Sequence, residues 1–212
     1  MYYKTEKNNH NLPHDPFKAL VSPRPIGWIG TRNKFGINNL APYSYFNAIS
    51  DKPYFVMFAS TGFKDSIKNI EETKVFTCSL ATKDLFNKMN YSSASTKYGD
   101  DEFELSGLTP KDGKLVNAPY VDESPAALEC ELWKVIDLPG SDRSSLSGSY
   151  VVFGHVKGIY IDDKYIKDGL FDTRKARPLG RLGYMDYGII NDDNIFSQKR
   201  PQVDKDGNII KG

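Results

Sequence analysis

The chain has 212 residues, enough for one large domain or two small ones, and its 28 Lys and Arg against 27 Asp and Glu leave a formal net charge of +1. That balance supplies no overall field for nucleic acid or an anionic membrane, and no apolar stretch approaches the roughly 18 residues of a spanning helix. The N-terminal MYYKTEKNNHNLPHD lacks the apolar core of a signal peptide, so the expectation is a soluble cytoplasmic protein with no nucleic-acid or membrane partner.

The first strand is expected in SPRPIGWIGT, residues 22–31, where prolines on both sides of Arg24 fix how the chain enters it. A guanidinium held there can pair with a phosphate or carboxylate, or simply lie on the surface. NKFGINN supplies turn chemistry, and NNLAPYSYFNAISDKP, residues 38–53, follows. Its amide and hydroxyl side chains, beside small Ala41 and rigid Pro42, suit the polar edge of a planar heterocycle. An edge strand bulged at Pro42 is the alternative.

PYFVMFAS reads as the next strand and stops abruptly in STGFKDSIKNI. There Ser60, Thr61, Lys64 and Ser66 can donate toward one point, and a helix over 65–73, marked by Ile67 and Ile70, would add free backbone N–H groups. A phosphate would satisfy these donors. So would water around an ordinary turn in which Asp65 or Ser66 caps the helix.

KVFTCSLA predicts a strand with Phe76, Cys78 and Leu80 on one face, and residues 83–94 predict a second helix with Leu85, Phe86 and Met89 on one side. AALECELWKVIDL places Leu128, Cys130, Leu132 and Ile136 opposite Glu129, Glu131, Trp133 and Asp137, and SGSYVVFGHVKGIYID alternates in the same way. Between them the segment from Pro139 to Gly148 reads as a mobile loop. Cys78 and Cys130 fall at inward positions and read as buried small hydrophobes, while His10, His14 and His155 form no cluster, so no metal site is expected. His155 shares a strand face with Val151 and Phe153, where it either approaches a bound ring or is structural.

ARPLGRLGYMDYG, residues 176–188, crowds arginines, glycines and tyrosines. Arg181 and Tyr184 can line a cofactor or a dimer seam, or belong to a closing strand and turn. The tail, 188–212, is polar and either frays or lies across a partner subunit. Many strands with two or three helices favour one mainly β domain over 1–212, an antiparallel barrel closed or nearly so, with peripheral helices.

Together SPRPIGWIGT, INNLAPYSYFNAIS, FASTGFKDSIKNI and GRLGYMDYG resemble, in order, the flavin reductase-like, FMN-binding split-barrel family that includes flavoredoxins and small flavin reductases. The resemblance covers about residues 17–187 and implies a Greek-key-like antiparallel split β-barrel holding FMN. It assigns Ser60, Thr61, Lys64, Asp65 and Ser66 to the phosphate and ribityl chain. Asp65 is better read as a helix cap, because a carboxylate repels the dianion. Asn39, Leu40, Ala41, Pro42, Ser44, Phe46 and Asn47 match the stretch beside the isoalloxazine, and Arg24, Pro25 and Thr31 match the first motif. The resemblance further implies a homodimer in which Arg181 and Tyr184 complete the pocket in trans.

The activity implied is transfer of electrons from NADH or NADPH through FMN to a flavin or other small acceptor. The alternatives are a flavoredoxin-like carrier reduced by a redox protein, and a flavin-binding module without turnover. No catalytic residue is selected, since hydride transfer requires no protein acid or base. No Gly-rich dinucleotide fingerprint follows a strand, so no separate Rossmann domain is expected; the resemblance implies that a nicotinamide docks over the flavin itself.

Overall fold

The computed structural model describes residues 1–140 and 146–210, so residues 141–145 of the loop expected over 139–148 lie outside the described residues. The elements run α1 (Phe17–Leu20), β1 (Arg24–Pro25), β2 (Gly27–Arg32), β3 (Asn38–Tyr43), β4 (Phe46–Asp51), β5 (Tyr54–Thr61), α2 (Asp65–Thr73) and β6 (Val75–Leu80). Then follow α3 (Phe86–Tyr91), α4 (Glu102–Leu105), β7 (Pro110–Asp112), β8 (Pro119–Val121), β9 (Ala126–Pro139) and β10 (Leu146–Ile161). The C-terminal part adds β11 (Ile166–Lys167), β12 (Leu170–Phe171), α5 (Thr173–Ala176), β13 (Leu179–Arg181), β14 (Tyr187–Ile189), β15 (Gln202–Val203) and β16 (Ile209–Ile210).

The main sheet has seven antiparallel strands in the order β3-β2-β6-β9-β10-β5-β4. β3 and β4 stand at opposite ends of that order, yet only Ser44 and Tyr45 separate them in the chain. Such a link reaches about 10 Å, whereas the six strand spacings of a flat sheet would require about 29 Å. The sheet therefore curls until its ends meet, and the Ala59 N–H donates to the Tyr45 carbonyl at 2.8 Å, which carries the β4–β5 ladder up to the link. This is the expected mainly β, antiparallel split barrel.

Burial of apolar side chains on the concave face drives the closure. Ile29, Val56, Phe58, Phe76, Cys130 and Val152 fill the interior, and α2 lays Ile67 and Ile70 on it. A second cluster of Trp28, Leu40, Met89, Phe103 and Val121 lies under α3 and α4. Gly154 is required where it stands, because a Cβ there would meet the Phe76 ring at 2.3 Å. Cys78 and Cys130 are free and buried as expected, and burial pushes the Cys78 thiol up.

Two expectations need correction. In β9 Lys134 opposes Phe153 while Leu132 opposes Gly154, so Trp133 is an extra residue without a partner across the ladder. A bulge exchanges the two faces beyond it. Val135, not Ile136, consequently packs against the core, and Trp133 is 64% exposed. The second helix stops at Tyr91 instead of continuing to 94. There the Ser92 hydroxyl donates to the Met89 carbonyl at 2.8 Å and accepts from Trp28 Nε1 at 2.9 Å, which competes with further helical turns.

The tail is more structured than expected: its last part folds into the small β15–β16 hairpin. Phe196, just before it, is 88% exposed.

Candidate functional site

A cleft of about 470 Å³ opens where the ends of the barrel meet. Asn39, Ala41, Pro42 and Ser44 form one wall, and Thr61, Lys64, Asp65 and Ser66 form the floor where β5 turns into α2. Ser92–Thr96 and Glu102 form the opposite wall, with Tyr43 and Phe63 between. The size lies within the roughly 300–1,000 Å³ of small-molecule sites.

The floor is a helix start whose first N–H groups meet no acceptor among the described residues. Lys64 occupies the N-cap position and makes no side-chain capping bond, so the expected cap by Asp65 or Ser66 is not formed; both lie inside the first turn. The first N–H groups of a helix have no intrahelical acceptor. Those of α2 therefore open toward the cleft, together with the positive end of the helix dipole. Beside them stands Tyr43, 8% exposed, whose hydroxyl oxygen is buried without a hydrogen-bond partner among the described residues. Burial pushes its phenol up, and the nearby Ser66 and Ser60 hydroxyls offset this without reaching bonding geometry. An orphaned buried hydroxyl costs free energy unless a ligand completes it.

A polar network supports this floor. Asn39 Nδ2 donates to Thr31 Oγ1 at 3.1 Å and to Ser66 Oγ at 3.0 Å, and Asn69 Nδ2 donates to Thr31 Oγ1 at 3.0 Å. Ser60 Oγ donates to the Gly62 carbonyl at 2.9 Å and holds the turn. Thr31 and Ser60 thus lie behind the lining and brace it. Leu40 belongs to the second core cluster, and its backbone N–H donates to Glu102 Oε2 at 3.0 Å.

The other expected residues are placed elsewhere. Arg24 is buried, with Nη1 donating to the carbonyls of Lys18 and Val21 and Nη2 donating to the Leu182 carbonyl at 2.9 Å. Its guanidinium ties the N-terminal turn to the segment after β13. Phe46 lines a separate apolar cleft of about 250 Å³ with Ile26, Cys78 and Leu128, and Asn47 is exposed on the edge strand β4. Arg181, the last residue of β13, donates from Nη2 to the Tyr184 carbonyl at 2.7 Å in the turn that joins β13 to β14. His155 stacks on Phe55 with ring centroids 5.0 Å apart on the outer face of the barrel.

Sequence reading did not select the serine-rich wall, Glu102 or Tyr43. Burial raises the Glu102 carboxyl, offset by the Leu40 N–H and the Thr96 hydroxyl. Burial likewise raises Asp65, offset by Lys68 and the Gly99 N–H. Among the described residues Lys64 is the one cation lining the cleft, and the two carboxyls beside it are biased toward their neutral forms. Uncapped N–H groups, hydroxyls and one ammonium suit an oxyanion, while the β3 wall offers backbone groups and the Ser44 hydroxyl to a planar ring.

Residues 20–180 match the flavin reductase like domain, and the chain belongs to that family of flavin-related proteins. It is 36% identical over 171 residues to an uncharacterised protein of Aquifex aeolicus, covering 78% of this chain and 83% of that one. Its structure is similar to nitrilotriacetate monooxygenase component B from Bacillus cereus, with a TM-score of 0.80 and 26% identity over 92% of this chain and 95% of that one. Flavoredoxin of Desulfovibrio vulgaris (Miyazaki F) shares the fold, with a TM-score of 0.73 and 23% identity over 84% of this chain and 91% of that one. Among the described residues no helix is long and apolar enough to cross a membrane.

Proposed function

We propose that the chain is an FMN-dependent oxidoreductase, one domain over its whole length, that takes electrons from NADH or NADPH and passes them to a flavin or other small acceptor. The observation that carries this reading is the uncapped start of α2 beside the unpartnered Tyr43 hydroxyl, with Lys64, Thr61 and Ser66 around it. An FMN phosphate fits these groups: an ammonium and charge-assisted hydrogen bonds offset its charge, and the helix dipole adds a smaller favourable contribution. Ala41, Pro42 and Ser44 would hold the ring edge with Asn39 bracing the seat from behind, and Ser92–Thr96 would cover the other side. Bound FMN would supply the two-electron hydride acceptor, while the protein binds, orients and shields it. Family membership supports the same reading.

A homodimer is part of the proposal. The outer face of β5, β9 and β10 carries Phe55, Trp133 and Phe153 in edge-on contact, with His155 stacked on Phe55. Such an apolar patch supports a subunit interface there, and in the dimer Arg181 and Tyr184 of one subunit would complete the other's cleft.

The test is an absorbance spectrum of the purified protein before and after adding FMN and desalting. Retained flavin bands at one per chain are expected, with bleaching by NADH or NADPH in a stopped-flow instrument. A colourless protein that retains no FMN overturns the reading. Retention without bleaching, but with rapid exchange with a reduced redox protein, replaces it with an electron carrier.

A further inference from the structure

We propose that Asn39 is a positioning residue that sets the polarity of Ser66, making its hydroxyl a donor to a bound phosphate. The inference rests on the proposed seat of the FMN phosphate at the start of α2. A primary amide nitrogen carries two hydrogens, and Asn39 Nδ2 commits both, one to Thr31 Oγ1 and one to Ser66 Oγ. Thr31 is fully buried, and its oxygen also receives Asn69 Nδ2, so the amide of Asn39 is anchored from behind.

Ser66 is 1% exposed and lines the cleft. Its oxygen already accepts from Asn39, and a hydroxyl has only one hydrogen to give. Among the described residues no acceptor meets hydrogen-bond geometry for that hydrogen: the Tyr43 hydroxyl, close enough to interact with Ser66, remains without a bonded partner. Ser66 is left to point its proton into the cleft, on the same side as the uncapped N–H groups of α2. A phosphate dianion offers only acceptors, so a Ser66 turned the other way would meet it lone pair to lone pair. Asn39 prevents this without touching the phosphate.

The experiment measures affinity for FMN and for riboflavin by quenching of flavin fluorescence, using flavin-stripped full-length protein. The variants are Ser66→Ala, Asn39→Ala, the double variant and Asn39→Asp. Ser66→Ala is expected to weaken FMN about tenfold or more, the scale of a hydrogen bond to a charged group, with little change for riboflavin. Asn39→Ala should reproduce part of that FMN-selective loss and add none when Ser66 is already Ala. Asn39→Asp, of nearly equal size, should lose more FMN selectivity than Asn39→Ala, because a carboxylate accepts the Ser66 proton; it also serves where Asn39→Ala does not fold.

Equal losses for FMN and riboflavin in the Asn39 variants overturn the positioning role, as does an FMN-selective loss that persists in the Ser66→Ala background. An unchanged FMN-to-riboflavin ratio in Ser66→Ala overturns the phosphate seat itself, and the inference with it.

Discussion

Glu102 joins the two walls of the cleft, and two substitutions separate its bonding from its charge. Its Oε2 accepts from the Leu40 N–H at 3.0 Å, its Oε1 accepts from Thr96 Oγ at 2.8 Å, and the residue is 5% exposed. Glu102→Ala leaves the N–H of a fully buried residue without a partner, which costs about 1–3 kcal/mol. The cavity left by the lost methylenes adds to this, so a total of about 2–4 kcal/mol is expected. Glu102→Gln keeps an oxygen for Leu40 and turns its NH₂ toward Thr96, whose hydroxyl can accept instead of donate. Its bonding survives and its buried charge is gone.

The pH dependence follows from the direction of the shift. Burial raises the folded-state pKa of Glu102 above its unfolded value. The wild type is then favoured below the ordinary carboxylate range, near pH 4, and loses stability as pH rises from there through the raised folded value. Gln binds no titratable proton and shows no such loss. Asp65, also raised, repels the Glu102 carboxylate, and losing that repulsion in the variant shifts the difference in the same direction as pH rises. Urea melts at a series of pH values from acid to neutral should therefore show Glu102→Gln gaining on the wild type as pH rises. A difference that is the same at every pH refutes the raised carboxyl, and a Glu102→Ala variant as stable as the wild type refutes the value placed on the Leu40 bond.

Lys64→Ala should weaken FMN by about 1.5 kcal/mol, the low end for a charge-assisted bond because Lys64 is exposed, and leave riboflavin unchanged in the same fluorescence titration. Equal loss for both ligands would place the phosphate elsewhere. Trp133→Glu, on the exposed aromatic face, should convert a dimer to a monomer in light scattering; an unchanged mass would remove that face from the interface, and a monomer that still holds FMN would count against a site completed in trans.

Much of the barrel is legible in the sequence because a strand with one buried face repeats every second residue. Phe76 and Cys78 in β6 fall on the inner face they were expected to share, and Val56 and Phe58 in β5 and Val152 in β10 follow the same two-residue period. The period fails at Trp133, where the bulge depends on what β10 places opposite. The corner at 59–70 was readable as a cluster of donors, since hydroxyls and a lysine before a helix are a local pattern. Arg24 was not: a guanidinium in a rigid turn looks the same whether it faces a phosphate or, as here, a carbonyl 158 residues away. The serine-rich wall carried a usable signal. Ser92, Ser93, Ser95 and Thr96 are weak helix formers that favour local backbone bonds, which argues for ending the helix at Tyr91. Nothing local links that segment to Leu40, because Glu102 makes the link through tertiary contact.

The cleft and the barrel closure have one cause. The short Ser44–Tyr45 link brings β3 to the end of β5, and α2 begins only a few residues beyond that end, so its first turn must lie beside Asn39. The Thr31–Asn39–Asn69 bonds then fix α2 to β2 and β3. A fold selected for stability alone would place apolar side chains at such buried positions, because each polar group there must be satisfied. The Nδ2 groups of Asn39 and Asn69 find acceptors, whereas among the described residues Asn69 Oδ1 and the Tyr43 hydroxyl at the mouth of the helix have no partner, and of the two only Tyr43 lines the cleft. That unmet bond lies where an anion would complete it, and FMN binding should consequently raise the melting temperature of the wild type more than that of Tyr43→Phe.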